Sequence, residues 1–191
     1  MTSTSPGPDM WPESSSTVYQ NPWMRVREDR FRRRDGSSGT YGVVDKQDFS
    51  IVIAEQDGQL HLVEQFRYPI GRRSWEFPMG GWPAGKSGTM LELARAELQE
   101  ETGLTAGSWS LLGNLHEAPG FCSQGFGVYY ATDLHTGAHD REDSEIDMVH
   151  KAFTRRELRS MIVDGTIVDG TTIAAYGLLL LLEDDPDRPV N

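Results

Sequence analysis

A helix with both of its ends written into the sequence constrains this chain more than any other feature. Thr89 and Glu92 have the spacing of a capping box, in which each side chain satisfies the other residue's free backbone N–H. Gly103 supplies the left-handed residue on which helices commonly stop. Between those ends, Leu91, Ala94 and Leu98 fall to one side and can hold the helix against a sheet. Glu97, Glu100 and Glu101 stand at i, i+3 and i+4 and share an arc of roughly 100°. Three carboxylates so close repel one another, a cost that is offset if a hard divalent cation sits among them. Acidic residues on an exposed helix face more often serve solvation, so spacing alone leaves both readings open.

The segments around this helix read as strands. Residues 49–54 and 60–66 are apolar runs on either side of Asp57-Gly58, a turn with the φ > 0 geometry of a hairpin, and they are expected to pair. Residues 23–34 read as an exposed strand whose charges leave little apolar face. Beyond the helix, 109–115 and 127–134 read as strands joined by a loop containing Pro119-Gly120-Phe121. A polar acidic loop at 137–147 then precedes a short strand at 148–153 and helices at 155–163 and 171–182. With no internal repeat, the pattern predicts an α+β fold, a mixed sheet sandwiched between helices in an α/β/α arrangement. The expected organisation is a disordered Ser/Thr/Pro-rich tail over 1–17, N-terminal strands over 18–48 that form a dimerisation element, a main domain over 49–183 and an acidic tail over 184–191.

Charge narrows the classes of partner. Eighteen Lys and Arg against 29 Asp and Glu leave a net charge of −11, which disfavours nucleic acid and anionic membranes. An anionic substrate would need local arginines or a metal. Residues 173–182 are apolar but far short of the roughly 20 that cross a bilayer, so they read as a buried helix. The N-terminus lacks the basic start and apolar stretch of a secretory signal. The single cysteine, Cys122, rules out a disulfide within this sequence and agrees with a reducing, cytoplasmic setting.

The text Ala94-Arg95-Ala96-Glu97-Leu98-Gln99-Glu100-Glu101-Thr102-Gly103-Leu104 resembles the C-terminal half of the Nudix box, and Glu97 to Leu104 fits its last eight positions without a gap. The front half departs from the pattern: Ala96 stands at the box arginine with Arg95 one place early, Gly88 at the upstream glutamate, and Trp82 at the first glycine. Matching Glu76-Phe77-Pro78-Met79-Gly80 to the Glu-Leu-Pro-Ala-Gly of ADP-ribose pyrophosphatase-like members gives the loop a two-residue insertion. The run from Leu62 to Pro69, Trp75-Glu76-Phe77-Pro78, Pro119-Gly120-Phe121 and the run from Asp164 to Thr172 resemble the same ADP-sugar branch, in the same order.

The resemblance implies a Nudix fold and a homodimer paired through the N-terminal strands. It also implies Mg²⁺, with Mn²⁺ as an alternative, held by Glu97 and Glu101, with Glu100 as a further or water-mediated ligand and the Met79 carbonyl as another. A carboxylate of the acidic loop, which holds Glu142, Asp143, Glu145 and Asp147, would be the general base or another metal ligand, with Glu145 first among them, against a solvated loop. Arg67 would hold substrate phosphates, where a guanidinium grips two oxygens at once, against an exposed salt bridge. Glu76 would be a ligand or a supporting group, against a strand-end charge. Trp23, Phe121 and Trp75 could stack on a base, against buried or interface aromatics. Arg72 and Arg73 are weaker candidates for holding phosphate, more often surface charges, and the histidines receive no role.

The function implied is Mg²⁺-dependent hydrolysis of a nucleoside diphosphate linked to another group, with ADP-ribose or a related nucleotide sugar first. GDP-mannose or a dinucleotide is the alternative within the class. A nucleotide sensor without catalysis is the alternative outside it, disfavoured because a pure binder has no need of three clustered carboxylates.

Overall fold

The computed structural model describes residues 9–83, 85–137 and 147–184. The chain forms two compact units, one from Met1–Gln47 with His116–Gln124 and one from Asp48–Leu115 with Gly125–Asn191.

In the first unit, β1 (Met10–Gln20), β2 (Arg25–Arg33) and β3 (Ser38–Asp45) form an antiparallel sheet in that order. The tail expected over 1–17 is therefore strand from Met10 onward. Side chains along β1 are exposed throughout, so no apolar alternation betrays it, and its order rests on backbone pairing with β2. Pro12, which has no N–H to give, stands where the register shifts. On β2 only Phe31 is buried, in keeping with the charge-rich reading of that strand. Within this unit the segment 116–124 is tied to β3: the Val44 N–H donates to the Phe121 carbonyl at 2.8 Å and the Ser123 N–H to the Val44 carbonyl at 3.0 Å.

In the second unit a seven-stranded mixed sheet is built from β4 (Phe49–Gln56), β5 (Gln59–Arg67), β6 (Arg72–Glu76), β7 (Met79–Gly80), β8 (Leu104–His116), β9 (Gly125–Thr136) and β10 (Val149–Thr154). Its order is β10-β5-β4-β9-β8, with β6 on β5 and β7 on β4. The expected hairpin forms: Gln56 faces Gln59, and Asp57 and Gly58 take φ of 52° and 73°. β4 runs parallel to β9 from Phe49 opposite Phe126 to Ala54 opposite Ala131.

Because β4 is buried on both faces, its alternation divides the core. Ile51 and Ile53 pack with Leu158 of α2 (Arg155–Val163) and Ala175 and Leu179 of α3 (Gly170–Glu183). Val52 and Ala54 pack with Ala94 and Leu98 of α1 (Met90–Thr102) and with Tyr129 and Ala131 of β9. Helices thus cover both faces of the sheet, the α/β/α sandwich read from the sequence. Each fully buried Leu or Ile contributes about 1.5–3 kcal/mol. At the far end of β4, the buried Glu55 carboxylate accepts from Tyr130 and from Arg155, which also pairs with Glu183 of α3. Among the described residues no helix is long and apolar enough to cross a membrane.

α1 begins as expected. The Thr89 hydroxyl accepts from the Glu92 N–H at 3.2 Å, the Glu92 carboxylate accepts from the Thr89 N–H at 2.8 Å, and Gly103 closes the helix at φ 71°. Thr89→Ala is expected to lower stability by about 1 kcal/mol. Urea unfolding would measure it, and an unchanged midpoint would show that the cap contributes nothing.

Candidate functional site

The arrangement of β7 and α1 is set by β4. Met79 and Gly80 pair with Ile51 and Ser50, the Val52 N–H donates to the Pro78 carbonyl at 2.9 Å, and the Ser50 hydroxyl donates to the Met90 carbonyl at 2.8 Å. The start of the helix and the short strand beside it therefore share one reference strand.

Glu97 and Glu101, one turn apart, lie against the β7 backbone. Glu97 is 8% exposed and Glu101 1%, which removes the solvated-face reading for both. Glu101 accepts the Met79 N–H at 3.1 Å. A Cβ on Gly80 would lie 2.5 Å from the carboxylate carbon and both oxygens of Glu97, so the missing side chain is what gives that carboxylate its place. Glu100 is half-buried on the same arc. All three carboxylates have interactions of their own.

The donors here are oxygens, the chemistry of a hard divalent cation. Among the described residues no three Asp, Glu, His or Cys side chains form a ready cluster. Mg²⁺ needs none, since it takes one or two carboxylates and fills its octahedron with water and phosphate oxygens. Two buried carboxylates beside the Met79 backbone fit that requirement.

The departures from the box have local causes. Arg95 lies with its guanidinium 5.8 Å from the centre of the Trp109 ring, so it does not stand in for the arginine absent at Ala96. At Gly88 a Cβ would meet the Trp82 ring at 2.8 Å and the Glu92 carboxylate at 3.0 Å, leaving no room for the upstream glutamate.

Arg67 ends β5 and reaches Glu76 at the end of β6. Its Nε donates to both Glu76 oxygens at 3.0 Å, and its Nη2 donates to Oε2. Glu76 has 2% of its side chain exposed and Arg67 39%. Burial works against the Arg67 charge, yet the bond and attraction from Glu76, helped by Asp169 and Glu101, hold its pKa above the usual value. Arg67 thus shares its electrostatic surroundings with one carboxylate of α1.

The other candidates divide. Trp23 and Phe121 both belong to the first unit and are 78% and 58% exposed. By register they stand at one end of its sheet, since Arg25 pairs with Asp45 and Phe121 is bonded to Val44. Trp75 is half-buried and packs edge-on against Phe153 at the border of the core, a packing role for that aromatic. Arg73 is paired with Glu64 and Asp147, and Arg72 donates to the Gly165 carbonyl. Glu145, with Glu142 and Asp143, lies outside the described residues.

Two features escaped the sequence reading. His61 and His150, distant in the chain, meet across β5 and β10 with ring nitrogens 2.9 Å apart, and burial lowers the pKa of His61. Asp169 caps α3 by accepting the Thr172 N–H at 2.7 Å. Its position before Gly170-Thr171-Thr172 signalled the cap, but nothing local signalled that it would lie within electrostatic reach of Arg67.

Comparison with known proteins extends the geometry. The NUDIX domain family matches residues 45–174, and the nucleoside diphosphate sugar hydrolase N-terminal domain matches residues 13–44. The chain is 34% identical over 163 residues to an ADP-ribose pyrophosphatase of Mycobacterium tuberculosis, covering 84% of this chain and 78% of that one. It is 27% identical over 135 residues to an ADP-ribose pyrophosphatase of Bacillus subtilis, covering 70% and 72%. The crystal structure of an ADP compounds hydrolase shares the fold with a TM-score of 0.81 at 17% identity, over 97% of this chain and all of that one.

The cradle at Gly80 is testable apart from any reaction. In Gly80→Ala the new methyl group meets only the far end of a side chain, so Glu97 swings aside and the fold survives with a loss below about 1 kcal/mol. Affinity for Mg²⁺, measured by calorimetry, is expected to fall about tenfold or more, the scale on which metal sites respond to misplaced partners. An unchanged affinity would show that the Glu97 carboxylate is not a ligand.

Proposed function

The chain belongs to the NUDIX family and is a pyrophosphohydrolase, and on that premise we propose that it hydrolyses the diphosphate linkage of ADP-ribose or a related nucleotide sugar, with Mg²⁺, in the cytoplasm. The observation that carries this reading is the burial of two carboxylates a turn apart against the Met79–Gly80 backbone. A cation bound between them would offset the mutual repulsion of such a pair. The substrate class is supported by the ADP-ribose pyrophosphatases to which the chain is similar and by the family matched at 13–44.

Glu97 and Glu101, with Glu100 and the Met79 carbonyl, are the groups that would hold the cation. Bound there, Mg²⁺, or Mn²⁺ in its place, would neutralise diphosphate charge and lower the pKa of the attacking water. Arg67 grips phosphate oxygens with the N–H groups that Glu76 does not occupy. Glu145 takes the proton from the water as it attacks phosphorus, and Trp23 and Phe121 stack on the base. Their exposure suits that task, because an aromatic face must be free to receive a planar ring.

The chemistry is tested with a panel of nucleotide sugars, with and without Mg²⁺, read by phosphate release after phosphatase treatment. Glu101→Gln is expected to keep the fold and lose most turnover, and Glu145→Gln is expected to lower kcat more than it raises KM. Near-normal turnover in Glu101→Gln would sink the metal assignment. Turnover unaltered in Glu145→Gln would move the base elsewhere in the acidic loop.

The same reading includes a homodimer. β1 is an edge strand exposed along its whole length, and an edge of that kind is normally covered or paired. A symmetric copy could cover it isologously. Light scattering at micromolar concentration is expected to give a dimer for the full chain and a monomer once the residues before Tyr41 are removed, with weaker substrate affinity. A monomeric full chain with intact activity would refute the dimer.

A further inference from the structure

We propose that Glu76 is a positioning residue that fixes the Arg67 guanidinium in its phosphate-gripping orientation. The inference rests on the reading of Arg67 as a substrate-binding group.

The register of β5 and β6 supplies the first step. Val63 pairs with Glu76, Gln65 with Ser74 and Arg67 with Arg72, so Arg67 and Glu76 share a face of the sheet with one row between them. To make its bonds, Arg67 must run back along the sheet over the row of Ser74, which is itself buried. A short side chain at Ser74 leaves a path for the long one.

The second step is chemical. Both Glu76 oxygens accept from Arg67, through Nε and Nη2. This edge-on grip leaves Nη1 and the outer hydrogen of Nη2 for a further partner, and those two donors match two oxygens of a phosphate. Glu76 is nearly out of solvent, whereas Arg67 keeps more than a third of its surface. A carboxylate sealed in that way and spent on a guanidinium is poorly placed to ligate a cation, which distinguishes this role from the ligand role that the motif alone allows. A free arginine has many rotamers to lose when it binds substrate, and an arginine already held from below loses far fewer. Asp169 and Glu101 add attraction from the same surroundings.

The test compares Glu76→Gln, Arg67→Met and the double variant, with ADP-ribose as substrate and Mg²⁺ titrated separately. Melting curves and circular dichroism of each variant establish that it is folded, and Glu76→Asp, which keeps the charge on a shorter stem, serves if Glu76→Gln does not fold. In Glu76→Gln the KM for ADP-ribose is expected to rise about tenfold, the effect of one charge-assisted hydrogen bond. Its kcat and half-saturating Mg²⁺ are expected to stay within about threefold. Glu76→Asp is expected to recover part of the loss in KM. Because Glu76 acts through Arg67, its loss adds little in the Arg67→Met background. Additive effects of the two substitutions, or a rise in half-saturating Mg²⁺ in Glu76→Gln, would overturn the positioning role in favour of a ligand. A KM raised in Arg67→Met but unchanged in Glu76→Gln would overturn it alone. An unchanged KM in Arg67→Met would refute the phosphate-gripping reading on which it stands.

Discussion

Two carboxylates buried one turn apart on a helix that also closes the core set the terms for the rest of this molecule. Ala94 and Leu98 dock α1 against β4 and β9, and that docking carries Glu97 and Glu101 out of solvent with them. The helix cannot rotate to expose the charges without withdrawing the apolar side chains, because the two sets are offset on one cylinder by the helical period. The repulsion is therefore built into the packing. Neighbouring features serve its relief: a glycine opposite Glu97, a backbone N–H given to Glu101, and a positive side chain within electrostatic reach.

What the sequence disclosed and what it withheld follow from the range of the interactions involved. The ends of α1 and the turn at Asp57-Gly58 are local chemistry, and both formed as the residues dictated. The apolar run of β4 is also local in origin, and it agrees with the burial of that strand on both faces of the sheet. β1 was missed because its side chains bury nothing, and backbone pairing leaves no mark on hydropathy. The spacing of Glu97, Glu100 and Glu101 gave the candidates, but only burial separated a sequestered pair from a solvated face.

Pairs brought together by the sheet were beyond the reach of spacing. Arg67 with Glu76, and His61 with His150, depend on which strand lies beside which. The same holds for the losses in the box. Gly88 and Ala96 read in the sequence as absences, whereas in the structure the Trp82 ring occupies the space beside one and Arg95 is drawn to Trp109 near the other. A motif compares identities position by position, and it has no means of recording that a neighbour has taken the room.

The position of β4 has a kinetic consequence. One of its partners, β5, follows directly through a tight turn, while another, β9, arrives much later in the chain and pairs in parallel. Local hairpins close in microseconds, and a distant parallel ladder must first overcome the entropy of a long loop. α1 is translated between the two and packs on residues from both β4 and β9, so its apolar contacts are complete only after the slow partner has come in. A chain in which β9 has not yet paired therefore holds α1 against β4 by only part of its apolar face.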